Sequence, residues 1–249
     1  TNYESRNVRV LTKNGLTATS QGDIHEAISS TYSSCGKKVN SQIPSFYPLL
    51  QDQLDLARPN IIFTQDLCEV CAPTTKDIKK VVNDEEITIV SMQPTTLQEV
   101  ANSFVTVARA CGIAGRGITY RETWWSALNG LKNTILQHRG ATSSFPTLFI
   151  LEWLDPPFDS GHWTYQMMEF ACLEMANKTK ATSDVKAREI AWEKVYQAHP
   201  DVIVVGCCGF NLERNVKDTI EHANRFVPLQ NATKIFACNG DSYIAQPSP

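Results

Sequence analysis

One arrangement occurs twice in the chain, and it limits the fold more than any other feature. Leu56, Ala57, Arg58, Pro59 and Asn60 close a polar-to-apolar helical stretch, and the apolar run Ile61, Ile62 and Phe63 follows, then a polar loop over 65–72. Much later Gln197, Ala198, His199, Pro200 and Asp201 close another such stretch, followed by Val202, Ile203, Val204 and Val205 and a loop over 206–212. Each unit reads as a helix, a proline stop, a short buried strand and a loop. Strands that are apolar throughout, rather than alternating, belong to parallel sheets covered on both faces. Residues 147–151 and 87–90 read as two further strands of this kind. The expected class is therefore α/β, with mainly parallel sheets.

Two helical stretches separate the halves. Leu97, Val100, Ala101, Phe104, Ala108 and Cys111 keep a spacing of three or four, which predicts an amphipathic helix. After the glycine-containing stretch 112–117, residues 119–139 run without a proline, with Trp124, Leu128, Leu131 and Ile135 at helical spacing. That rod is roughly 30 Å long, about a domain diameter. With 249 residues, 42% of them hydrophobic, the chain can fill two modest cores. The expected organisation is an N-terminal α/β lobe over 1–113, a connecting helix over 114–140 and a C-terminal α/β lobe over 141–249. Ligands of open α/β sheets bind at the carboxyl ends of the strands, so the loops 65–72, 152–163 and 206–212 are the places to look.

Charge and composition exclude some functions. The net charge is −3 and no basic, aromatic-rich run occurs, which argues against nucleic acid as a partner. No apolar run approaches the ~20 residues of a membrane span. The first nine residues are mostly polar and do not read as a signal peptide, although a chain whose signal had been cleaved would look the same. Of the eight cysteines, Cys111, Cys172 and Cys238 follow alanines in apolar settings and are expected to be buried free thiols. The sequons at Asn177 and Asn231 are no more than chance supplies and say nothing about secretion.

The densest functional-looking stretch runs from Leu151 to Tyr165. It leaves a strand, passes Pro156 and Pro157, and enters a helix expected to begin near His162. Trp153, Phe158 and Trp163 offer faces to a large flat ligand, and Asp155 and His162 could orient it. The plainer reading is that the aromatics pack the core and the acids cap the helix. In the loop after the first repeat, Asp66, Cys68, Glu69 and Cys71 form the matching set. A CxxC spacing suits a structural or ligand-contacting pair, a soft metal, or redox exchange. Zinc would need two more ligands, and His162 is the one histidine placed to help Cys68 and Cys71. In the loop after the second repeat, Gly206 and Gly209 flank Cys207 and Cys208, with Phe210 next. No GxGxxG, Walker, GxSxG or HExxH pattern occurs, so neither a nucleotide nor a standard hydrolase site is indicated.

Asp66 through Ala72, the block from Leu151 to Trp163, Gly209-Phe210 with Leu212-Glu213-Arg214, and Asn239 through Tyr243 together resemble the cobalamin-binding subgroup of the periplasmic-type substrate-binding proteins. These belong to the helical-backbone metal receptor superfamily, whose members deliver cobalamin, haem or ferric siderophores to importers. The resemblance implies two α/β lobes joined by a rigid helix, holding a cobalamin-like corrinoid, a tetrapyrrole or a metal chelate. It implies ligand contacts from Asp66, Cys68, Glu69, Cys71, Trp153, Asp155, Phe158, His162, Trp163, Phe210 and Tyr243, and an importer as partner. It also implies a periplasmic or secreted location, whereas the residues themselves are equally compatible with the cytoplasm. Members of the family carry a further strand and helix before the equivalent of Thr1 and a terminal helix after the equivalent of Pro249. The expectation is a first lobe short of part of its ligand wall, the missing part being cleaved away, supplied by another protein or chain that completes the lobe, or lost.

Three functions remain open from the residues alone. The first is a corrinoid, tetrapyrrole or metal-chelate binder. The second is an enzyme or redox protein recruited from that fold, using Cys68, Cys71, Asp155 or His162. The third is an interaction or storage protein that has lost the ligand.

Overall fold

The structure, a computed structural model, describes residues 10–35, 46–68, 70, 72–82, 86–139, 145–176 and 186–245. It divides into two compact units, Thr1–Gln93 and Pro94–Pro249.

The first unit holds α1 (Gln21–Cys35), α2 (Gln51–Ala57), β1 (Ile61–Thr64), α3 (Thr75–Val81) and β2 (Thr88–Ser91). β1 and β2 pair in parallel, Ile61 opposite Thr88 through Thr64 opposite Ser91. α3 starts at a reciprocal cap. Thr74 accepts from the Asp77 amide while the Asp77 side chain accepts from the Thr74 amide, so two otherwise unpaired donors are satisfied.

The second unit holds α4 (Leu97–Ala110), α5 (Ala114–Arg139), β3 (Thr147–Leu154), β4 (Pro157–Asp159), α6 (Thr164–Phe170), β5 (Glu174–Met175), α7 (Trp192–Gln197), β6 (Val202–Val205), α8 (Leu212–Glu221), α9 (Ala223–Phe226) and β7 (Lys234–Ala237). Its sheet runs β4-β3-β6-β7, with β5 also pairing β3. β5, β6 and β7 are parallel to their neighbours and only β4 is antiparallel. Both faces are covered, as the unbroken apolar strands require. Phe149, Leu151, Ile203 and Val205 pack with Trp192, Val195, Phe226 and Leu229. On the other face Leu148 and Ile150 pack with Tyr165, Met168 and Ile244.

The two repeats end their helices by the same device. Arg58 (φ 43°) and His199 (φ 44°) take left-handed backbone immediately before Pro59 and Pro200. The chain reverses there, the Arg58 amide donates back to the Leu54 carbonyl, and the proline that follows cannot continue the helix.

Three expectations need correction; the long helix is not among them, since α5 begins at Ala114 as the expected 114–140 helix does and takes in most of the glycine stretch. The reason is packing: a side chain at Gly117 would meet Ala108 Cβ at 2.6 Å and the Phe104 carbonyl at 2.7 Å, so glycine is what lets α5 press against α4. Leu131 is 52% exposed and lies off the partly buried stripe of Trp124, Leu128 and Ile135. Cys111 is exposed because it caps the C-terminus of α4, beyond the buried face; Cys172 is buried and Cys238 half-buried, and all three are free thiols. Finally, Pro156 and Pro157 do not lead straight into a helix. They turn β3 back into the short antiparallel strand β4, with a cis peptide between Asp155 and Pro156 in the turn.

Candidate functional site

In the second unit the carboxyl ends of β3, β6 and β7 carry most of the residues singled out from the sequence. β3 and β4 form a hairpin whose register slips between Leu151 and Trp153, leaving Glu152 in the slip. Such irregularities re-aim side chains. Beyond the slip, Trp153 stands opposite Phe158. Its indole N–H donates to the Asp155 carbonyl at 3.1 Å, which fixes the ring across the turn. Trp153 also lies against Phe210, ring centres 5.2 Å apart, and the Arg214 guanidinium covers Phe210 at 4.6 Å. Arg214 is held in turn by the buried Asp218 at 2.6 Å. A layered stack of Trp153, Phe210 and Arg214 therefore spans the β3 and β6 ends.

Two loops beneath this stack are bound to each other by Asn215, which is fully buried. Its Oδ1 accepts from the Cys207 amide at 3.1 Å, and its Nδ2 donates to the carbonyls of Phe210 and Cys238. The Asp241 amide donates to the Phe210 carbonyl at 3.1 Å. A side chain at Gly240 would run into the backbone of Gly206 and Cys207, so glycine is needed for this approach. Sequence reading marked the loops but not Asn215. The signal was available: an asparagine four residues after the helix-capping Asn211, on the inward face of α8.

Glu152 was also overlooked. Part of the residue remains accessible, but its carboxyl group lies deep, and burial pushes it up to about 8. The Gly161 amide, donating at 3.2 Å, opposes that rise, and the negative Asp159 adds to it. Asp159 is itself buried and is held by the Arg188 amide and guanidinium, each at 2.8 Å. The Cys208 thiol nearby is pushed up to about 11 by burial, then by the charges of Glu152 and Asp241, so it is no thiolate nucleophile at neutral pH.

The remaining candidates of this unit are scattered in character. Asp155 is exposed in the hairpin turn. Trp163 is only 7% exposed and packs as core beside α6, with the His162 ring stacked on it at 6.0 Å. His162 has left-handed backbone (φ 53°), and its Nδ1 is buried with no hydrogen-bond partner. Burial lowers its pKa, with the charge of Lys186 adding, so the ring is neutral at pH 7. Tyr243 is 65% exposed on a π-helical turn over Asp241–Ala245.

In the first unit the loop after β1 is bound to itself. The Gln65 side chain accepts from the Cys68 amide at 2.8 Å and donates to the Cys68 carbonyl at 2.7 Å. Asp66 accepts from the Thr75 amide at 2.7 Å and from the hydroxyls of Thr75 and Ser91 at 2.6 Å each. Burial opposes ionisation of Asp66, but the hydrogen bonds from Ser91 and Thr75, with the charge of Lys76, hold its pKa below the ordinary value. Asp66 thus fastens the loop to α3 and β2. Cys68 is in a disulfide, so its sulfur is not a thiolate for a metal, which corrects that expectation. Glu69 and Cys71 lie outside the described residues. Among the described residues no group of three or more His, Cys, Asp or Glu is placed to hold a metal ion. A cavity of about 420 Å³ in this unit is lined by Leu54, Asp55, Arg58, Asn60, Val82 and Ile87, at the amino ends of β1 and β2.

No protein-family model and no curated protein matches the sequence. Solved structures do match. An iron-binding (periplasmic solute-binding) protein of Staphylococcus epidermidis, so described as a possible function, superposes with a TM-score of 0.60 at 14% identity, over 81% of this chain and 75% of that one. An ABC transporter substrate-binding protein of Listeria monocytogenes gives 0.60 at 12% identity, over 86% of each chain. The periplasmic vitamin B12 binding protein of Vibrio cholerae gives 0.51 at 17%, over 76% and 69%. The fold is that of the periplasmic solute-binding proteins. Within this solute-binding fold the Trp153–Phe210 stack occupies the strand ends at which open α/β sheets take their ligands. Among the described residues no helix is long and apolar enough to cross a membrane.

Proposed function

We propose that the chain is an extracytoplasmic solute-binding protein whose cargo is a haem, a corrinoid of the B12 type or a ferric chelate. The observation that carries this reading is the likeness in fold to structures described as binding iron, haem and vitamin B12. The second unit's strand ends are suited to such a cargo. Trp153 and Phe210 supply a rigid aromatic wall for a large flat molecule, and burying an aromatic face there is worth about 2–3 kcal/mol. His162 adds a neutral imidazole whose buried Nδ1 lacks a partner, and an orphaned buried nitrogen of this kind costs about 1–3 kcal/mol unless something bonds to it. The disulfide at Cys68 fits an oxidising compartment, periplasmic or secreted. Delivery to an importer belongs to the same reading.

Absorbance titration of the purified chain with haemin, cyanocobalamin and a ferric hydroxamate tests it, read alongside native mass spectrometry. A saturable 1:1 shift with one of the three is expected, weakened by Trp153→Ala. Failure of all three to bind at concentrations up to ~100 μM, far above the range useful for a scavenging protein, overturns the proposal.

A further inference from the structure

The hairpin that carries Trp153 and the loop that carries Phe210 meet along a short seam. The Gly206 amide donates to the Leu151 carbonyl at 3.0 Å, and the Cys208 amide to the Glu152 carbonyl at 3.2 Å. Among the described residues no backbone hydrogen bond joins hairpin and loop beyond that point, and Trp153 and Phe210 meet through their rings alone. The register slip sets the Glu152 side chain on the inner side of this seam, where one carboxyl oxygen accepts from the Gly161 amide. The groups around it come from four elements. Asp159 of β4 acts on Glu152 directly, and Asp241, after β7, acts with Glu152 on the Cys208 thiol. The neutral His162 follows the Gly161 amide, and Tyr165 of α6 stands beside Arg188. Arg188 is committed to Asp159, and among the described residues Glu152 makes no salt bridge. A carboxylate at this place has one amide to hold it and acids for neighbours, so the closed seam suits the neutral acid.

We propose that Glu152 is a proton-operated pin for the aromatic wall: as the neutral acid it lets hairpin and loop close so that Trp153 meets Phe210, and as the carboxylate it leaves the seam for water and parts the two rings. The tie that gives is the one nearest the carboxyl, the bond from the Cys208 amide to the Glu152 carbonyl, because no further backbone bond backs it. The direction follows from burial, which holds Glu152 at about 8 in the closed seam against an ordinary 4.5. The seam is closed at acid pH, each pH unit between those values favours the open form by up to about tenfold, and nothing more is gained above 8. The pin stands on the seam alone; its use rests on the binding reading above, in which cargo lying on the closed wall is gripped more firmly at acid pH.

Thiol labelling with N-ethylmaleimide, located by mass spectrometry, tests the pin without any cargo. Cys111 is exposed and reports the reagent's own dependence on pH, while Cys172, buried in the same unit, reports global unfolding. From pH 6 to pH 8.5 the labelling rate of Cys208 relative to Cys111 is expected to rise at least ~10-fold in the native chain, with Cys172 protected throughout. In Glu152→Gln, and in Glu152→Met as a second chain that cannot ionise there, the ratio is expected to stay level. A level ratio in the native chain, a rise shared by these variants, or a rise that Cys172 follows overturns the proposal, the last because the acid then only destabilises the whole fold. Titration with haemin, cyanocobalamin and a ferric hydroxamate at both pH values tests the use of the pin. The probe that binds is expected to do so ~10-fold more tightly at pH 6 than at pH 8.5 in the native chain and equally in Glu152→Gln. Equal affinity in the native chain overturns the role in binding; uptake of none of the three overturns the proposed cargo, and the labelling still decides the pin.

Discussion

Replacing Glu152 by glutamine isolates the energetic cost of holding a carboxyl group in this environment. Burial raises the Glu152 pKa from its ordinary 4.5 to about 8 in the folded chain. Below pH 4.5 the group is protonated in both folded and unfolded chains and makes no difference. Between 4.5 and 8 the unfolded chain ionises while the folded chain retains the proton, so stability falls as pH rises through that window. Above 8 the full cost is present. At about 1.4 kcal/mol per pH unit the window is worth up to ~5 kcal/mol, and ~2–5 kcal/mol once water reaching the accessible part of the residue is allowed for. Glutamine keeps an oxygen to accept the Gly161 amide and has no proton to lose. Urea unfolding at pH 5, 6, 7 and 8 of the native chain and Glu152→Gln is the assay. The two stabilities are expected to be similar near pH 5 and to diverge steadily, the variant being the more stable at pH 8. Taking the difference between the chains cancels His162, whose lowered pKa acts in the opposite sense and removes stability as pH falls through its own range. Parallel curves from pH 5 to 8 refute the buried-acid reading.

Three further outcomes follow from the site. Asn215→Ala removes three hydrogen bonds and strands the Cys207 amide and the Cys238 carbonyl, the Phe210 carbonyl keeping the Asp241 amide, so a loss of about 2–4 kcal/mol in chemical denaturation is expected; a change below ~1 kcal/mol contradicts its anchoring role. His162→Gly relieves left-handed backbone and removes an orphaned nitrogen, so the thermal midpoint is expected to rise, by about 1 kcal/mol of stability or more, while cargo affinity drops; a destabilised variant with full affinity goes against the site assignment. Trp153→Ala is expected to weaken cargo binding about 10- to 100-fold with modest loss of stability, whereas Trp163→Ala costs about 3–5 kcal/mol of stability because that ring is core; the reverse ranking, measured by titration and urea unfolding, overturns the division between them.

The four strands expected from the sequence are all present, and so are both long helices, because their signals are local. A proline after a helix stops it wherever it lies, and an unbroken run such as Val202 to Val205 has no polar side to turn towards water. The parallel pairing and the covered faces follow from the same runs. β4, β5 and β7 were not anticipated. β4 is made by a turn through two prolines, β5 is two residues long, and β7 is a four-residue run that only becomes a strand by pairing with β6.

The site divides along the same line. Composition and chain order were enough to show which segments reach the strand ends and that they are rich in aromatics. Which of those residues meet depends on how the strands pack side by side. Trp153 and Phe210 lie 57 positions apart and touch because β3 and β6 are neighbours. Trp163, equally aromatic, is drawn into the core, and Tyr243 is left in solvent. The acidity of Glu152 and the isolation of the His162 nitrogen are properties of enclosure. Enclosure is the sum of contacts from distant parts of the chain, and no local pattern of residues carries it.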